Sequence, residues 1–188
     1  MSQPLVVAIT GASGVIYGIE ILRALGKLEI PTHLIVSEAA ARTLLLETDI
    51  SLAEVRALAG VVHANKDIAA SIASGSFLTR GMVVAPCSIK TLSAIANSYD
   101  ADLVARAADV TLKERRPLVL MVRETPLHKG HLDLLLRAAD YGAIIMPPMP
   151  AFYHKPETIQ DIVDQGVGRA LDQLGITHAL FPRWDDVQ

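Results

Sequence analysis

The sequence has few of the features that mark several large classes of protein. Its 188 residues contain one cysteine, Cys87, which excludes an internal disulfide and fits a reducing cytoplasm. No run of 18 or more uncharged apolar residues occurs, so we expect no membrane span. A net charge of −3 gives no basis for general nucleic-acid binding. The amino terminus, MSQPLVV, lacks a basic segment, so we expect no signal peptide.

Apolar residues are plentiful, and they occur in short runs. They make up 51% of the chain, and β-branched runs alternate with patterns typical of helices. Such alternation implies βαβ units, a mostly parallel sheet and helices on both of its faces. We therefore predict one domain over residues 1–188: a doubly wound, Rossmann-like or flavodoxin-like three-layer α/β fold with about six strands. The predicted strands are 5–10, 32–37, 82–86, 118–122 and 143–146, with a weaker one at 61–63, and the helical patterns cover 17–28, 38–59, 88–96, 102–115, 127–140 and 158–174.

The turn after the first strand, TGASG at 10–14, is rich in small residues. Such a turn lets backbone N–H groups at the start of a helix approach a bound anion. It matches neither GxGxxG nor a P-loop. The second strand ends at Ser37, where a dinucleotide site usually has an acid, and this leaves room for a mononucleotide such as FMN. The alternative is a tight turn in which glycine serves only the backbone.

A second turn, PCSIKT at 86–91, follows the strand at 82–86. Ser88 is a natural N-cap, and Ser88 and Thr91 offer hydroxyls at the same edge of the sheet. Capping alone explains Ser88 equally well. Cys87 has no histidine within the motif to activate it, so a buried thiol is the better interpretation.

Charged residues gather around the strand at 118–122. Arg106 and Lys113 are seven residues apart on the preceding helix and share one face of it. Arg123 and Glu124 fall at the carboxyl end of the strand, which is where ligands bind in open parallel sheets. This pattern indicates a site for an anionic small molecule.

Three further features have two interpretations each. Arg169 lies at the edge of an apolar helical stripe, where it either meets a carboxylate or phosphate or extends to solvent as a rim residue. Tyr153 lies in a proline-rich loop at 147–154, and either its hydroxyl contacts a ligand or its ring packs as part of an aromatic lid. His128 and His131 have metal-ligand spacing, but no third ligand stands at a fitting distance, so we expect no metal site.

Taken together and in order, six segments resemble the UbiX-type flavin prenyltransferases: TGASG, Glu47-Thr48-Asp49, PCSIKT, RAADVTLKERRPLVL, VRETPLH and PAFYHKP. The resemblance implies a Rossmann-like flavoprotein that forms a homododecamer and binds FMN at subunit interfaces. It implies transfer of a dimethylallyl group from dimethylallyl monophosphate to N5 and C6 of reduced FMN, without a metal. The product, prenylated FMN, would serve a UbiD-type decarboxylase, as in ubiquinone biosynthesis.

The resemblance also implies roles for individual residues. The residues expected to contact FMN are Gly11, Ala12, Ser13, Ser37, Ser88, Ile89, Lys90, Thr91 and Arg123. The residues expected to bind the prenyl phosphate are Tyr153 and Arg169, joined by Arg106 and Lys113 across a subunit interface. The expected catalytic residues are Ser13, Glu47, Lys113 and Glu124. At Ile68 some relatives have a tryptophan that can support an allyl cation, and this chain lacks that support.

Two other functions compete with this interpretation. A flavin-dependent cysteine decarboxylase of the same fold group would carry a PASANT-type turn, where this chain has PCSIKT. A non-catalytic FMN carrier, or a subunit of an aromatic-acid decarboxylase, would keep the flavin site without using the catalytic carboxylates.

Overall fold

The computed structural model describes residues 2–184, in which strands and helices alternate along the chain. The strands are β1 (Leu5–Ile9), β2 (Thr32–Val36), β3 (Val61–Ala64), β4 (Gly81–Cys87), β5 (Leu118–Val122) and β6 (Ile144–Ile145). The helices are α1 (Val15–Lys27), α2 (Glu38–Glu47), α3 (Leu52–Ala57), α4 (Ile89–Ala96), α5 (Leu103–Lys113), α6 (Lys129–Asp140) and α7 (Ile159–Gln173), with a short 3₁₀ helix at Ser71–Ala73.

The six strands form one parallel sheet in the order β3-β2-β1-β4-β5-β6. β1 is central, with Val7 paired to Leu34 of β2 on one side and to Val83 of β4 on the other. This is the strand order of a doubly wound Rossmann fold, and it confirms the predicted fold class. The order reverses between β1 and β4: the strands that follow β1 lie on one side of it, and the strands that follow β4 lie on the other side.

Alternating residues of β1 serve two separate hydrophobic layers. Leu5, Val7 and Ile9 face a core shared with α1, α2, α3 and α7. Val6 and Ala8 face a second core shared with α4, α5 and α6. Because successive side chains of a strand point to opposite faces, a strand covered on both faces must be apolar throughout. All five residues of β1 and of β5 are buried accordingly.

The single helix predicted at 38–59 is wrong, since this segment forms two helices. α2 ends at Glu47, and Thr48 is extended with φ −143° and ψ 160°. Ser51 then starts α3 with a capping box, in which its side chain and that of Glu54 each accept the other's backbone N–H. The Ser-x-x-Glu pattern was present in the sequence and could have marked this boundary. No helix within residues 2–184 is both long and apolar enough to span a membrane.

Close packing of α1 on the sheet brings the TGASG turn beside β4. A Cβ added at Gly18 would lie 2.3 Å from the carbonyl oxygen of Ala85. Only glycine allows this approach, because any side chain would collide with backbone. The start of α1 is therefore held over the boundary between β1 and β4.

Candidate active site

The predicted site lies at the carboxyl ends of β1 and β4, where the strand order reverses. TGASG follows β1, and the turn that begins α4 follows β4. In open α/β sheets, the crevice at such a switch point is the usual ligand site. The structure thus brings together two turns that are more than 70 residues apart in sequence.

The TGASG turn has a conformation that requires glycine at two positions. Gly14 has φ +96°, in the left-handed region that disfavours side chains. A Cβ at Gly11 would lie 2.3 Å from the Cβ of Ala39, at the start of α2. Ser13 is exposed between them. The turn therefore packs closely against α2 and leaves Ser13 accessible to solvent.

The amino terminus of α1 already holds an anion from the protein itself. Glu47 Oε2 accepts the backbone N–H groups of Gly14 at 2.8 Å and Val15 at 3.1 Å. A carboxylate at this position is stabilised by the helix dipole. The sequence had suggested these amides as a cradle for a ligand anion, and in the structure Glu47 occupies it. These two amides are therefore already paired with a carboxylate of the chain.

Two serines cap two of the other helices that start at this edge. Ser37 Oγ accepts the N–H of Ala40 at 3.1 Å and begins α2. Ser88 Oγ accepts the N–H of Thr91 at 3.3 Å and donates to Thr91 Oγ1 at 3.1 Å. The capping role is therefore real at both positions. These helix starts bring two further positive dipole ends to the same edge.

The end of β5 borders the second turn, at the carboxyl edge where the sequence placed each of them. The N–H of Arg123 donates to the carbonyl oxygen of Cys87 at 3.1 Å. Arg123 and Glu124 are both exposed, and Glu124 Oε1 accepts the N–H of Thr125. Lys90 is exposed on α4 nearby in the fold, after the same turn. Two cationic side chains thus stand at this part of the edge.

Cys87 is not suited to nucleophilic catalysis. Its side chain is fully buried, and burial raises the pKa of the thiol to about 12. Only the thiolate is strongly nucleophilic, so the interpretation of a buried structural thiol is confirmed.

Arg169 lies on the wall of an open groove beside the crevice. The groove has a volume of about 360 Å³ and is bounded by the chain after β6 and by α7. Arg169 is 48% exposed and donates to Asp172 Oδ2 at 2.8 Å. It is therefore a rim residue with a carboxylate partner. Asp172 was missed from the sequence, although its i,i+3 spacing to Arg169 was a usable signal.

Asp172 binds more than one cation. Arg183 donates to its two carboxylate oxygens at 2.7 and 2.9 Å, and His178 Nε2 lies 3.1 Å from Oδ1. Burial alone would raise the pKa of Asp172, but the hydrogen bond and charge of Arg183 outweigh it, and the pKa is lowered. Arg183 thus compensates the Asp172 carboxylate independently of Arg169.

Tyr17, which the sequence did not single out, connects the groove to the TGASG turn. A Cβ at Gly14 would lie 3.3 Å from its ring, and a Cβ at Gly166 would lie 2.9 Å from it. Gly166 is three residues before Arg169 and lines the same groove. One aromatic ring therefore separates the groove from the turn. Tyr153 is half-buried, and its ring contacts those of His154 and Trp184 at centroid distances of 5.3 and 5.2 Å.

Arg106 and Lys113 do not join these residues within one chain. Arg106 donates to Asp100 at 3.0 Å and to Asp109 at 3.3 Å. Lys113 pairs with Glu114 near the end of α5, at the amino edge of the sheet. Their proposed meeting with the prenyl phosphate stays a prediction that depends on a neighbouring protomer.

The remaining sequence-based expectations concern metal binding and Ile68. His128 and His131 stack at a centroid distance of 3.6 Å, and His128 caps α6 by accepting the N–H of Gly130. Within residues 2–184, no three acidic, histidine or cysteine side chains gather as a metal site would require. Ile68 is 63% exposed.

Comparisons with known proteins agree with this geometry. The family model described as Flavoprotein matches residues 1–172. The flavin prenyltransferase UbiX of Escherichia coli (strain K12) is 61% identical over 183 residues, which cover 96% of this chain and 97% of that protein.

Two solved structures are also similar. A crystal structure of AnUbiX (PadA1) in complex with FMN and dimethylallyl pyrophosphate has a TM-score of 0.96 and 49% identity, with 98% of each chain covered. A dodecameric FMN-dependent UbiX-like decarboxylase from Escherichia coli O157:H7 has a TM-score of 0.94 and 49% identity, covering 97% of this chain and 99% of that one. The chain therefore belongs to the Flavoprotein family and, within it, to the UbiX-type flavin prenyltransferases.

Proposed function

We propose that this chain is a flavin prenyltransferase that joins a dimethylallyl group from dimethylallyl monophosphate to N5 and C6 of reduced FMN. The observation that carries the proposal is the contact between Glu47 and the TGASG turn. The family resemblance assigns a catalytic role to Glu47 and flavin contacts to the turn. The two are 33 residues apart in sequence, yet they are joined by hydrogen bonds in the switch-point crevice.

The crevice has the features that an FMN molecule needs. Gly11 and Gly14 let the TGASG turn pack closely on Ala39 and Tyr17, and the starts of α2 and α4 supply positive dipole ends for a phosphate. Lys90 and Arg123 add exposed positive charge at the same edge. When bound, reduced FMN supplies the electron-rich nitrogen and carbon to which the dimethylallyl group is joined. Ser13 would stand close to N5 from the exposed tip of its turn.

Glu47 is placed to hold or accept a proton. Both of its hydrogen bonds use Oε2, and Oε1 accepts none from the part of the chain that the structure describes. Attachment at C6 requires loss of a ring proton, for which a base must be available. The amides of Gly14 and Val15 fix the direction of the carboxylate, so Oε1 is the atom we assign to this task. Glu124, at the end of β5, would handle protons around the departing phosphate.

Arg169 and Tyr153 would bind the prenyl phosphate. Leaving-group departure concentrates charge on the phosphate, and a positioned guanidinium stabilises that charge. The ion pair of Arg169 with Asp172 is half-exposed, and such pairs contribute only about 0–1 kcal/mol. A phosphate can therefore replace Asp172 as the partner of Arg169 at small cost, because Arg183 still compensates Asp172.

The proposal extends to an assembly and to a recipient of the product. Arg106 and Lys113 reach a phosphate only if another protomer brings them, so the active form would be a homo-oligomer, a dodecamer in the proposed function. The prenylated FMN would pass to a UbiD-type decarboxylase. We further propose that residues 1–188 work as one domain in the cytoplasm, since a single buried thiol suits a reducing compartment.

An anaerobic assay with mass spectrometry of the released flavin tests this function. Protein, reduced FMN and dimethylallyl monophosphate should yield a flavin heavier by one dimethylallyl unit. Parallel reactions with dimethylallyl pyrophosphate establish which donor is used. Bound FMN of unchanged mass with both donors would contradict the proposal and favour a flavin carrier. Release of carbon dioxide from a peptidyl cysteine would favour the cysteine decarboxylase.

A further inference from the structure

The side chain of Thr10 joins the two turns that form the crevice. Thr10 is 1% exposed. Its hydroxyl donates to the carbonyl oxygen of Pro86 at 2.8 Å and accepts the N–H of Ser88 at 2.9 Å. The backbone N–H of Thr10 also donates to the Pro86 carbonyl, at 3.2 Å. Two hydrogen bonds to Pro86 of β4 and one from Ser88 at the start of α4 therefore connect both to the end of β1.

These bonds lie where regular pairing between the strands stops. The register of β1 with β4 ends at the pair Ala8–Val84. Pro86 has no N–H group, so the ladder cannot continue through it. Beyond that point the Thr10 hydroxyl links the two segments, because it can accept the N–H of Ser88 and donate to the carbonyl oxygen of Pro86 at the same time. Without it, the N–H of Ser88 would lose its partner at the point where the two strands separate.

The two turns carry residues for which flavin contacts are expected. Gly11 follows Thr10 directly and packs on Ala39, so its position follows that of β1. Ser88 caps α4 through Thr91, so the orientation of that helix start follows the Ser88 backbone. A change in the Thr10 link would alter the distance between these two groups. It would not remove a direct ligand contact, because Thr10 is buried and both functions of its hydroxyl are used.

We propose that Thr10 is a positioning residue for FMN, which holds the TGASG turn and the α4 start at the separation that the flavin requires. The inference rests on the proposed function only for the identity of the ligand. FMN binding can be measured without any prenyl donor, so the result is independent of whether prenyl transfer occurs.

The test compares Thr10→Val, which has nearly the same shape without the hydroxyl, with Thr10→Ser, which keeps the hydroxyl. Thr32→Val is the matched control. Thr32 is 4% exposed and accepts the N–H of Gly60 at 3.2 Å, at the amino end of the sheet away from the crevice. Apoprotein of each variant is titrated with FMN by flavin fluorescence, and unfolding in urea gives its stability.

We expect Thr10→Val to raise the Kd of FMN about tenfold, a change of about 1.4 kcal/mol. Thr10→Ser should stay within threefold of the parent, and Thr32→Val should lose stability with a Kd within twofold. In the prenyl-transfer assay, the KM for FMN of Thr10→Val should rise about as much as its Kd, with kcat changed less than threefold.

Two results would overturn the inference. One is a Kd of Thr10→Val within twofold of the parent, and the other is an equal loss of FMN affinity in Thr32→Val. If Thr10→Val does not fold, Thr10→Cys carries the same test, because a thiol is a weaker donor and acceptor than a hydroxyl.

Discussion

Replacing Glu47 by glutamine should separate catalysis from folding and from flavin binding. The amide retains an oxygen that can accept the N–H groups of Gly14 and Val15, so the start of α1 keeps its cap. What is lost is the negative charge at the helix end, which contributes about 0.3–1 kcal/mol at exposed positions. For a chain of this size, that corresponds to a fall in Tm of roughly 1–4 °C.

The expected effect on turnover is much larger. A positioned general base contributes about 10²–10⁴-fold to rate. At about 1.4 kcal/mol for each factor of ten, this equals roughly 2.8–5.6 kcal/mol of barrier. The stability change is therefore too small to explain the activity loss by unfolding. We expect single-turnover prenylation under anaerobic conditions to slow at least a hundredfold, with the Kd of FMN within threefold of the parent.

Glu54→Gln is the control for this experiment. Glu54 Oε2 accepts the N–H of Ser51 at 2.7 Å and its hydroxyl at 2.6 Å at the exposed start of α3. This variant should show a similar small fall in Tm with unchanged turnover. If Glu47→Gln retained prenylation within twofold while binding FMN normally, Glu47 would not be the base.

Four further predictions concern other parts of the chain. Arg169→Gln should raise the KM for the prenyl donor about 10–100-fold without weakening FMN binding, because a charge-assisted hydrogen bond contributes about 1.5–3 kcal/mol. Equal KM values for the variant and the parent in steady-state assays would contradict this. Cys87 should resist thiol reagents at pH 8 until urea unfolds the protein, since a raised pKa leaves the group as a neutral thiol. Incubation with EDTA should leave prenylation unchanged, and restoration of a lost rate by added Mg²⁺ would refute metal independence. Burial lowers the pKa of His33 and of His63, so the unfolded state binds more protons than the folded state below about pH 6.5. The free energy of unfolding in urea should therefore be highest above that pH and decrease toward pH 5. His63→Gln should make this decrease smaller.

The fold could be predicted from the sequence because its signals are local. Runs such as Leu118–Val122 are apolar at every position, which is typical of strands covered on both faces. Ser88 and Thr158 stand just before helical patterns, and both act as N-caps. The same kind of signal was overlooked at Ser51, where the predicted long helix breaks. β6 is also shorter than its apolar run suggested.

Only part of the candidate site could be predicted from the sequence. The connectivity of a parallel sheet places every strand's carboxyl end at one edge, so the TGASG turn and Arg123 were expected to lie there. The pattern could not reveal that Arg106 is held by Asp100 and Asp109, or that Lys113 lies at the opposite edge. These outcomes depend on the path of α5 across the sheet.

By itself, the sequence determined the alternation of strands and helices, the helix caps and the edge at which the ligand turns lie, since each follows from residues within a few positions of one another. Only the tertiary structure decided that Glu47 occupies the start of α1 and that Thr10 joins the two turns. Each contact consists of two or three hydrogen bonds between segments distant in sequence. No periodicity encodes them, because they form only after the strands have taken their order in the sheet.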